Sequence, residues 1–202
     1  MHRTLPPSSL LAPVPVVMVS CASDRPDVKP NIITIAWAGT VCTKPPMVSI
    51  SVRKSRYSYD IIKETGEFAV NLVAGELAGA CDFCGVKSGR DVDKFASCSL
   101  TPAKVRGLSF AVGIAESPLI LGCKVKQTIE LGTHDMFIAE IVSAAAKEEL
   151  FDGSGKLCLD KANLVSYIHG DYYETGKRLG FFGWSVASKK ALKRRNMKTR
   201  LR

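Results

Sequence analysis

Residues 47–52 read Met-Val-Ser-Ile-Ser-Val, and apolar and polar side chains alternate from Val48 to Val52. Because successive side chains of a β-strand point to opposite faces, this alternation is typical of a strand with one buried face. A basic turn follows the strand. After the turn, a helical pattern extends from Ser58 to Thr65 and ends before Gly66. This strand–turn–helix unit is the starting point for the fold prediction.

Five further segments have the composition of β-strands: Pro15–Cys21, Asn31–Trp37, Phe68–Leu72, Leu119–Leu131 and Met136–Ala146. The last two are joined by Gly132-Thr133-His134-Asp135, which predicts a β-hairpin with His134 at its tip. Helical patterns are fewer. We expect a short helix over Glu76–Cys84 and a further turn over Asp91–Ala96.

Short strands, few helices and no β-α-β rhythm predict a mainly β fold, an antiparallel barrel with helical insertions. The segment from Lys161 to Gly183 is rich in Tyr, Phe and Gly, and we expect it to cover an edge of the barrel. A chain of 202 residues that is 46% apolar is long enough for one domain with its own core.

The net charge of +9 is concentrated at the C-terminus. Residues 189–202 contain eight Lys or Arg and no acidic residue, whereas the rest of the chain carries 20 basic and 19 acidic residues. We therefore expect a domain over residues 1–188 and a basic tail over residues 189–202, solvated and partly disordered. A nucleic-acid-binding protein would spread basic and aromatic residues over a folded face, so nucleic acid is not the expected partner.

The seven cysteines are scattered, and several lie inside apolar runs. This pattern predicts reduced, buried thiols in a cytoplasmic protein rather than a disulfide framework. The chain has no apolar run of about 18 residues, and prolines interrupt the apolar stretch near its start. Neither a transmembrane helix, a signal peptide nor a membrane partner is therefore expected.

The most informative stretch for function is Arg53-Lys54-Ser55-Arg56-Tyr57-Ser58, between the alternating strand and the predicted helix. A helix N-terminus leaves backbone N–H groups unpaired and carries partial positive charge, so it favours an anion. The basic side chains and serine hydroxyls add charge-assisted donors. The stretch predicts a phosphate site, and the alternative is an ordinary basic loop with a serine helix cap.

A second basic segment, Gly85–Phe95, contains glycines that allow a backbone to lie close to a ligand. It lacks the nucleotide P-loop motif, and no Gly-x-Gly-x-x-Gly follows a strand, so conventional ATP or dinucleotide binding is not supported. His134 is a candidate hydrogen-bond donor or proton shuttle, with an ordinary surface histidine as the alternative.

Cys81-Asp82-Phe83-Cys84 has the spacing of a metal or redox motif. A zinc site would need a second pair of ligands at similar spacing, and a thioredoxin-like pair would begin its helix. Structural thiols are the main interpretation, an accessory redox pair is the alternative, and no metal site is predicted. Trp37 is flanked by small residues, which leaves room for a flat ligand beside its ring.

Taken together, the motifs resemble the flavin reductase-like proteins, and among them the flavoredoxin family of the FMN-binding split-barrel superfamily. In chain order they are Asn31-x-x-Thr34-x-Ala36-Trp37-x-Gly39, Lys44-Pro45-Pro46-Met47-Val48, Arg53-x-Ser55-Arg56-x-Ser58, Thr65–Asn71, Cys81–Phe95 and Gly132–Phe137. The resemblance extends from Pro13 to Gly183. It rests on the order and spacing of the motifs rather than on any single one.

The resemblance implies a Greek-key split β-barrel and a homodimer with one FMN per subunit near the dimer interface. By position, it implies that the isoalloxazine ring and ribityl chain are lined by Asn31, Thr34, Ala36 and Trp37. It implies a phosphate site formed by Ser51, Arg53, Ser55, Arg56 and Ser58. Around the flavin ring it implies Lys94, a catalytic His134 and, as a cover, Tyr167.

The resemblance implies an FMN-dependent oxidoreductase or electron-transfer flavoprotein that receives electrons from NAD(P)H or from a redox protein. Because a flavin supplies the redox chemistry itself, the protein need only position and tune it. Two alternatives stay open. One is a non-catalytic flavin-binding or tail-mediated nucleic-acid-binding module, and the other is a thiol-redox or metal protein centred on Cys81 and Cys84.

Overall fold

The computed structural model describes the backbone of residues 1–200 and the side chains of residues 1–194. Its strands are β1 (Val14–Pro15), β2 (Val17–Cys21), β3 (Asn31–Ile35), β4 (Ala38–Thr43), β5 (Pro46–Arg53), β6 (Glu67–Leu72), β7 (Pro102–Lys104), β8 (Val112–Ile114), β9 (Leu119–Glu130), β10 (His134–Ala146), β11 (Val165–Ile168) and β12 (Asp171–Glu174). The α-helices are α1 (Tyr57–Thr65), α2 (Ala78–Val86), α3 (Lys94–Ser97) and α4 (Lys189–Arg200). Single 3₁₀ turns lie at Gly75–Leu77, Glu148–Leu150, Leu159–Lys161 and Trp184–Val186.

A seven-stranded sheet in the order β3-β2-β6-β9-β10-β5-β4 forms the body of the fold, and every neighbouring pair in it is antiparallel. Strands β1, β11 and β12 form a second sheet, and β7 pairs with β8. The fold is therefore mainly β with helical insertions, as predicted. None of the helices in residues 1–200 combines the length and the apolar composition required to cross a membrane.

Two apolar clusters hold the fold together. In the first, Ile62 of α1 packs with Phe68 of β6 and Phe137 of β10, and all three side chains are fully buried. In the second, Met18 and Ile32 pack against residues of α2. Burial of a large apolar side chain contributes about 1.5–3 kcal/mol. Helices α1 and α2 are therefore fixed to the sheet. The first basic segment, Arg53–Ser58, leads into α1, and the second, Gly85–Phe95, begins at the end of α2.

The unit that opened the sequence prediction is confirmed. Val48, Ile50 and Val52 of β5 are buried, as the alternation requires. Helix α1 ends at Thr65, and Gly66 follows with φ 65°, a left-handed conformation that favours glycine. The predicted hairpin is also present, because β9 and β10 pair over their whole length.

Several elements differ from the sequence prediction. His134 is not at the hairpin tip, because it is the first residue of β10 and pairs with Arg53 of β5. Strand β4 was not predicted, since it is a largely exposed edge strand without an apolar run. The segment expected to cover an edge contains the β11–β12 hairpin, which pairs with β1. The tail, expected to be partly disordered, is helical over Lys189–Arg200, and residues 201 and 202 lie outside the described part.

Gly66→Ala should lower the free energy of unfolding by about 1 kcal/mol, because an L side chain disfavours the left-handed conformation. A Cβ at Gly66 meets nothing within 4 Å, so the loss should come from the backbone alone. Gly79→Ala is the matched control, since Gly79 lies in α2 and its Cβ also meets nothing within 4 Å. Chemical denaturation should show a loss for the first variant and none for the second. If Gly66→Ala and Gly79→Ala had equal free energies of unfolding, the assignment of Gly66 as a helix cap would be contradicted.

Candidate functional site

Helix α1 begins without a side-chain cap. Arg56 occupies the N-cap position in an extended conformation, φ −76° and ψ 137°, and its side chain makes no capping hydrogen bond. The serine-cap alternative is therefore wrong, because Ser58 lies inside the helix and accepts a hydrogen bond of 2.7 Å from Asn31 Nδ2. The amides of Tyr57 and Ser58, the first two of α1, have no acceptor within the helix, so this end of α1 can bind an anion.

The second basic segment closes over this corner. A pocket of about 180 Å³ lies between the two segments. Arg90 Nη1 donates a 3.1 Å hydrogen bond to Ser55 O, and the Arg90 guanidinium lies 5.4 Å from the centre of the Tyr57 ring. A Cβ at Gly89 would overlap the side chains of Asn31 and Tyr57, so only glycine fits there without displacement. The pocket is lined by Asn31, Ile33, Ser55, Arg56, Tyr57, Ser58, Cys84, Gly85, Lys87, Ser88, Gly89, Arg90 and Lys94.

Lys94 contributes a buried cation to this pocket. Its side chain is 3% exposed, and Nζ donates to Ile32 O at 2.6 Å and to Cys84 O at 2.8 Å. An ammonium group has three N–H donors, so one remains for a ligand. Burial lowers the pKa of Lys94 because it disfavours the charged form, and an anion in the pocket would offset that effect.

A groove of about 550 Å³ adjoins the pocket, and the two share Ile33, Arg56 and Gly85. The end of β3 and the residues that follow it supply Thr34, Ala36 and Trp37, and β5 supplies Ser51 and Arg53. Strand β10 supplies His134, and β11 supplies Tyr167. All twelve residues that the sequence nominated line either the groove or the pocket: Asn31, Thr34, Ala36, Trp37, Ser51, Arg53, Ser55, Arg56, Ser58, Lys94, His134 and Tyr167.

Trp37 and His134 line the groove with their rings in contact. Their ring centres are 4.7 Å apart with an angle of 44° between the planes. Trp37 is 48% exposed, so part of its indole remains free to contact a ligand. Burial, with Arg53 and Arg56 nearby, lowers the pKa of His134, and the ring is therefore neutral at neutral pH.

The protein neutralises only part of the positive charge at the corner. Lys54 is paired with Glu130 at 2.9 Å and with Asp135 at 3.5 Å. Within the side chains that the structure describes, no carboxylate lies within 4.0 Å of the guanidinium of Arg53 or Arg56. Two arginines therefore face the groove with their charge available to an anionic ligand.

Comparison with known proteins identifies this architecture. Residues 10–176 match the flavin reductase like domain family. The chain belongs to the flavin reductase-like family. The flavoredoxin of Desulfovibrio vulgaris (Miyazaki F) is 30% identical and superposes with a TM-score of 0.85, over 93% of this chain and all of that one.

Two curated relatives of this flavin reductase-like chain also align with it over most of both sequences. An uncharacterized protein of Escherichia coli is 30% identical over 85% of this chain and 92% of its own length. The reductase component of a 4-nitrophenol 4-monooxygenase/4-nitrocatechol 2-monooxygenase of Rhodococcus opacus is 28% identical over 78% of this chain and 72% of its own length. The split-barrel fold is thereby confirmed, and the family gives the chain a flavin oxidoreductase or electron-transfer role.

The two cysteines of the Cys81–Cys84 motif are shielded from solvent in this flavin reductase-like chain. Cys81 and Cys84 lie in α2 as free, buried thiols. Burial raises the pKa of Cys81 to about 11 and that of Cys84 to about 12, so both are protonated and poorly nucleophilic. In the described residues no group of three or more His, Cys, Asp or Glu side chains is arranged to hold a metal. These observations weigh against a site centred on the two cysteines.

One wall of the groove is formed by residues outside the twelve that were nominated for the site. Tyr172 of β12 donates a 3.2 Å hydrogen bond to Asp82 Oδ1 of α2, and its ring centre is 5.4 Å from that of Tyr167. Asp82, His169 and Gly170 line the same wall. The sequence has three tyrosines between residues 167 and 173, and two of them, Tyr167 and Tyr172, line the groove from the sheet that pairs β11 with β1 and β12.

Arg53→Ala should raise the pKa of His134 toward its ordinary value, because it removes a positive charge that disfavours protonation. The rise should be partial, since burial is the larger cause. An NMR titration of the histidine ring signals measures it. Arg106→Ala is the control, because Arg106 lines a separate cavity and should leave the titration unchanged. An unchanged pKa in Arg53→Ala would show that the two side chains do not interact.

Proposed function

We propose that this chain binds FMN non-covalently and acts as an FMN-dependent oxidoreductase or electron carrier. One observation carries the proposal. The uncapped N-terminus of α1, with the unneutralised Arg53 and Arg56, adjoins a groove that is also lined by the half-exposed Trp37. A cofactor that is planar at one end and anionic at the other matches both features.

The phosphate end would be held at the α1 corner. Arg56 offers guanidinium donors, and Ser55 offers a hydroxyl and a backbone amide. Lys94 faces the same pocket, so we propose that it acts at the phosphate end rather than beside the flavin ring. Asn31, which bonds Ser58, lies at the same end of the site. A flavin without phosphate would leave these cations and donors unused.

The ring end would lie in the groove. Trp37 supplies an aromatic surface, and Thr34 and Ser51 supply hydroxyl groups at its sides. Tyr167 also lines the groove, and we propose that its ring covers a flat ligand there. A pocket with apolar walls and a few placed polar groups is the usual form of a cofactor site.

FMN, when bound, supplies the hydride- or electron-transfer chemistry itself. The residues of this chain would bind FMN, orient it and tune its redox properties. Arg53 places positive charge beside the groove, which stabilises negative charge on a bound ligand. His134, neutral at neutral pH, is suited to donate a hydrogen bond or to hold a proton at the ring end. For these reasons we propose His134 as the catalytic residue.

We further propose that the chain works as a homodimer. Large apolar side chains remain exposed near the C-terminal end of the domain, namely Leu179, Phe182, Trp184 and Val186. Val41 of the edge strand β4 is also exposed. Several large apolar side chains exposed in this way support an interface between subunits. Cys21, Cys81, Cys84 and Cys123 are buried thiols outside any disulfide, which supports the reducing cytoplasm as the location of the protein, with NAD(P)H or a redox protein as electron donor.

Arg56→Ala should weaken FMN binding by about 1.5–3 kcal/mol, roughly 10- to 150-fold in Kd, because it removes hydrogen bonds to a charged group. Titration of the apo-protein with FMN, followed by flavin fluorescence, measures the change. Riboflavin is the ligand control, since it lacks the phosphate and its Kd should not change. Arg106→Ala is the protein control. Wild-type FMN affinity in Arg56→Ala would refute the phosphate assignment.

The function itself is tested on the purified protein. It should be yellow or become yellow with added FMN, and denaturation should release FMN. The bound flavin should then be reduced by NADH, NADPH or a reduced redox protein in stopped-flow measurements. Protein that takes up no FMN would refute the proposed function. Protein that binds FMN but is reduced by none of these donors would point to the non-catalytic alternative.

A further inference from the structure

Asp135 is a buried carboxylate behind the basic corner. Its side chain is 1% exposed, although it follows His134 directly in β10. Tyr59 OH donates a 2.6 Å hydrogen bond to Asp135 Oδ2, and Lys54 Nζ lies 3.5 Å from Oδ1. Asp135 of β10 therefore contacts both the turn after β5, through Lys54, and helix α1, through Tyr59.

The carboxylate is costly to bury, and its partners compensate only in part. Asp135 Oδ1 is a buried polar atom without a hydrogen-bond partner in the described residues, so the charge of Lys54 is what offsets it on that side. An apolar residue at this position could pack beside Phe137 and Val52 at lower cost. A buried charge that lowers the stability of the fold in this way is a candidate for fixing a particular arrangement of its partners.

The partners are placed at both ends of the phosphate-binding segment. Lys54 directly follows Arg53, and Tyr59 directly follows Ser58. The backbone here makes two successive turns, in which Arg56 N donates to Arg53 O at 3.0 Å and Tyr59 N donates to Arg56 O at 2.9 Å. Fixing Lys54 and Tyr59 to one carboxylate therefore restrains the residues between them, including Ser55 and Arg56.

Asp135 and Tyr59 do not themselves face a ligand, since neither lines the groove or the small pocket. We propose that these two residues are positioning residues, which hold the Arg53–Ser58 segment in the shape that accepts the FMN phosphate. The inference rests on the proposed function and adds to it. The inference attributes part of the selectivity for a phosphorylated flavin to the Tyr59–Asp135 hydrogen bond, which lies behind the binding site.

Tyr59→Phe removes the hydroxyl of Tyr59 and keeps its ring, which packs 5.6 Å from the ring of Phe137. Asp135→Asn removes the charge and nearly preserves the shape. Thr65→Val is the matched control, because it removes a hydrogen-bonding hydroxyl at the other end of α1, where Thr65 donates to Ile61 O at 2.8 Å. The Kd values of FMN and riboflavin, and the free energy of unfolding, are measured for wild type and all three variants.

Tyr59→Phe and Asp135→Asn should each raise the FMN Kd on the order of tenfold while changing the riboflavin Kd less than about twofold. Thr65→Val should lower stability without changing the ratio of the two Kd values. The double variant should lose less FMN affinity than the sum of the losses in the two single variants, since both changes affect the Tyr59–Asp135 hydrogen bond. If Asp135→Asn does not fold, Tyr59→Phe alone decides the outcome.

Equal loss of FMN and riboflavin binding, or no loss of either, would overturn the positioning role. That result is distinct from failure of the proposed function. If wild-type protein binds FMN no more tightly than riboflavin, the phosphate assignment fails. If wild type discriminates strongly and Tyr59→Phe discriminates equally well, only the role of Tyr59 and Asp135 fails.

Discussion

The N-terminus of α1 carries more positive charge than the protein neutralises, and the organisation of the site depends on that excess. The helix starts without a side-chain cap, Arg53 and Arg56 have no carboxylate within ion-pair distance among the described side chains, and the buried Lys94 faces the same pocket. Such an arrangement is unfavourable by itself, because like charges repel and Lys94 is desolvated. Binding an anion removes both costs, which is the physical reason to expect the phosphate end of a cofactor there.

The sheet sets where the rest of the site lies relative to that charge. Strand β5 delivers Arg53 to the corner, and its pairing with β10 places His134 opposite Arg53. The end of β3 brings Trp37 against His134. Because the register of an antiparallel pair is fixed by which face is buried, a one-residue slip would exchange the buried and groove-facing residues. The apolar core that Val48, Ile50 and Val52 help to form therefore determines the geometry of a polar site.

Local patterns predicted the parts of the fold that depend on local physics. The alternation of β5, the glycine end of α1 and the β9–β10 hairpin follow from residues close in sequence. Strand β4 could not be predicted, because its exposed side chains carry no burial pattern. The twelve nominated residues came largely from family resemblance. Their division between groove and pocket, and the contribution of Arg90 and Gly89, depend on tertiary contacts that no local pattern encodes.

The most direct test is a crystal structure of the protein with FMN bound. The phosphorus atom is predicted to lie in the pocket between α1 and the Gly85–Lys94 segment, with phosphate oxygens within hydrogen-bond distance of Arg56 and of backbone amides near Ser58. The isoalloxazine ring is predicted to lie in the groove beside Trp37. A phosphate bound elsewhere, with the corner occupied by side chains of the protein itself, would contradict the account.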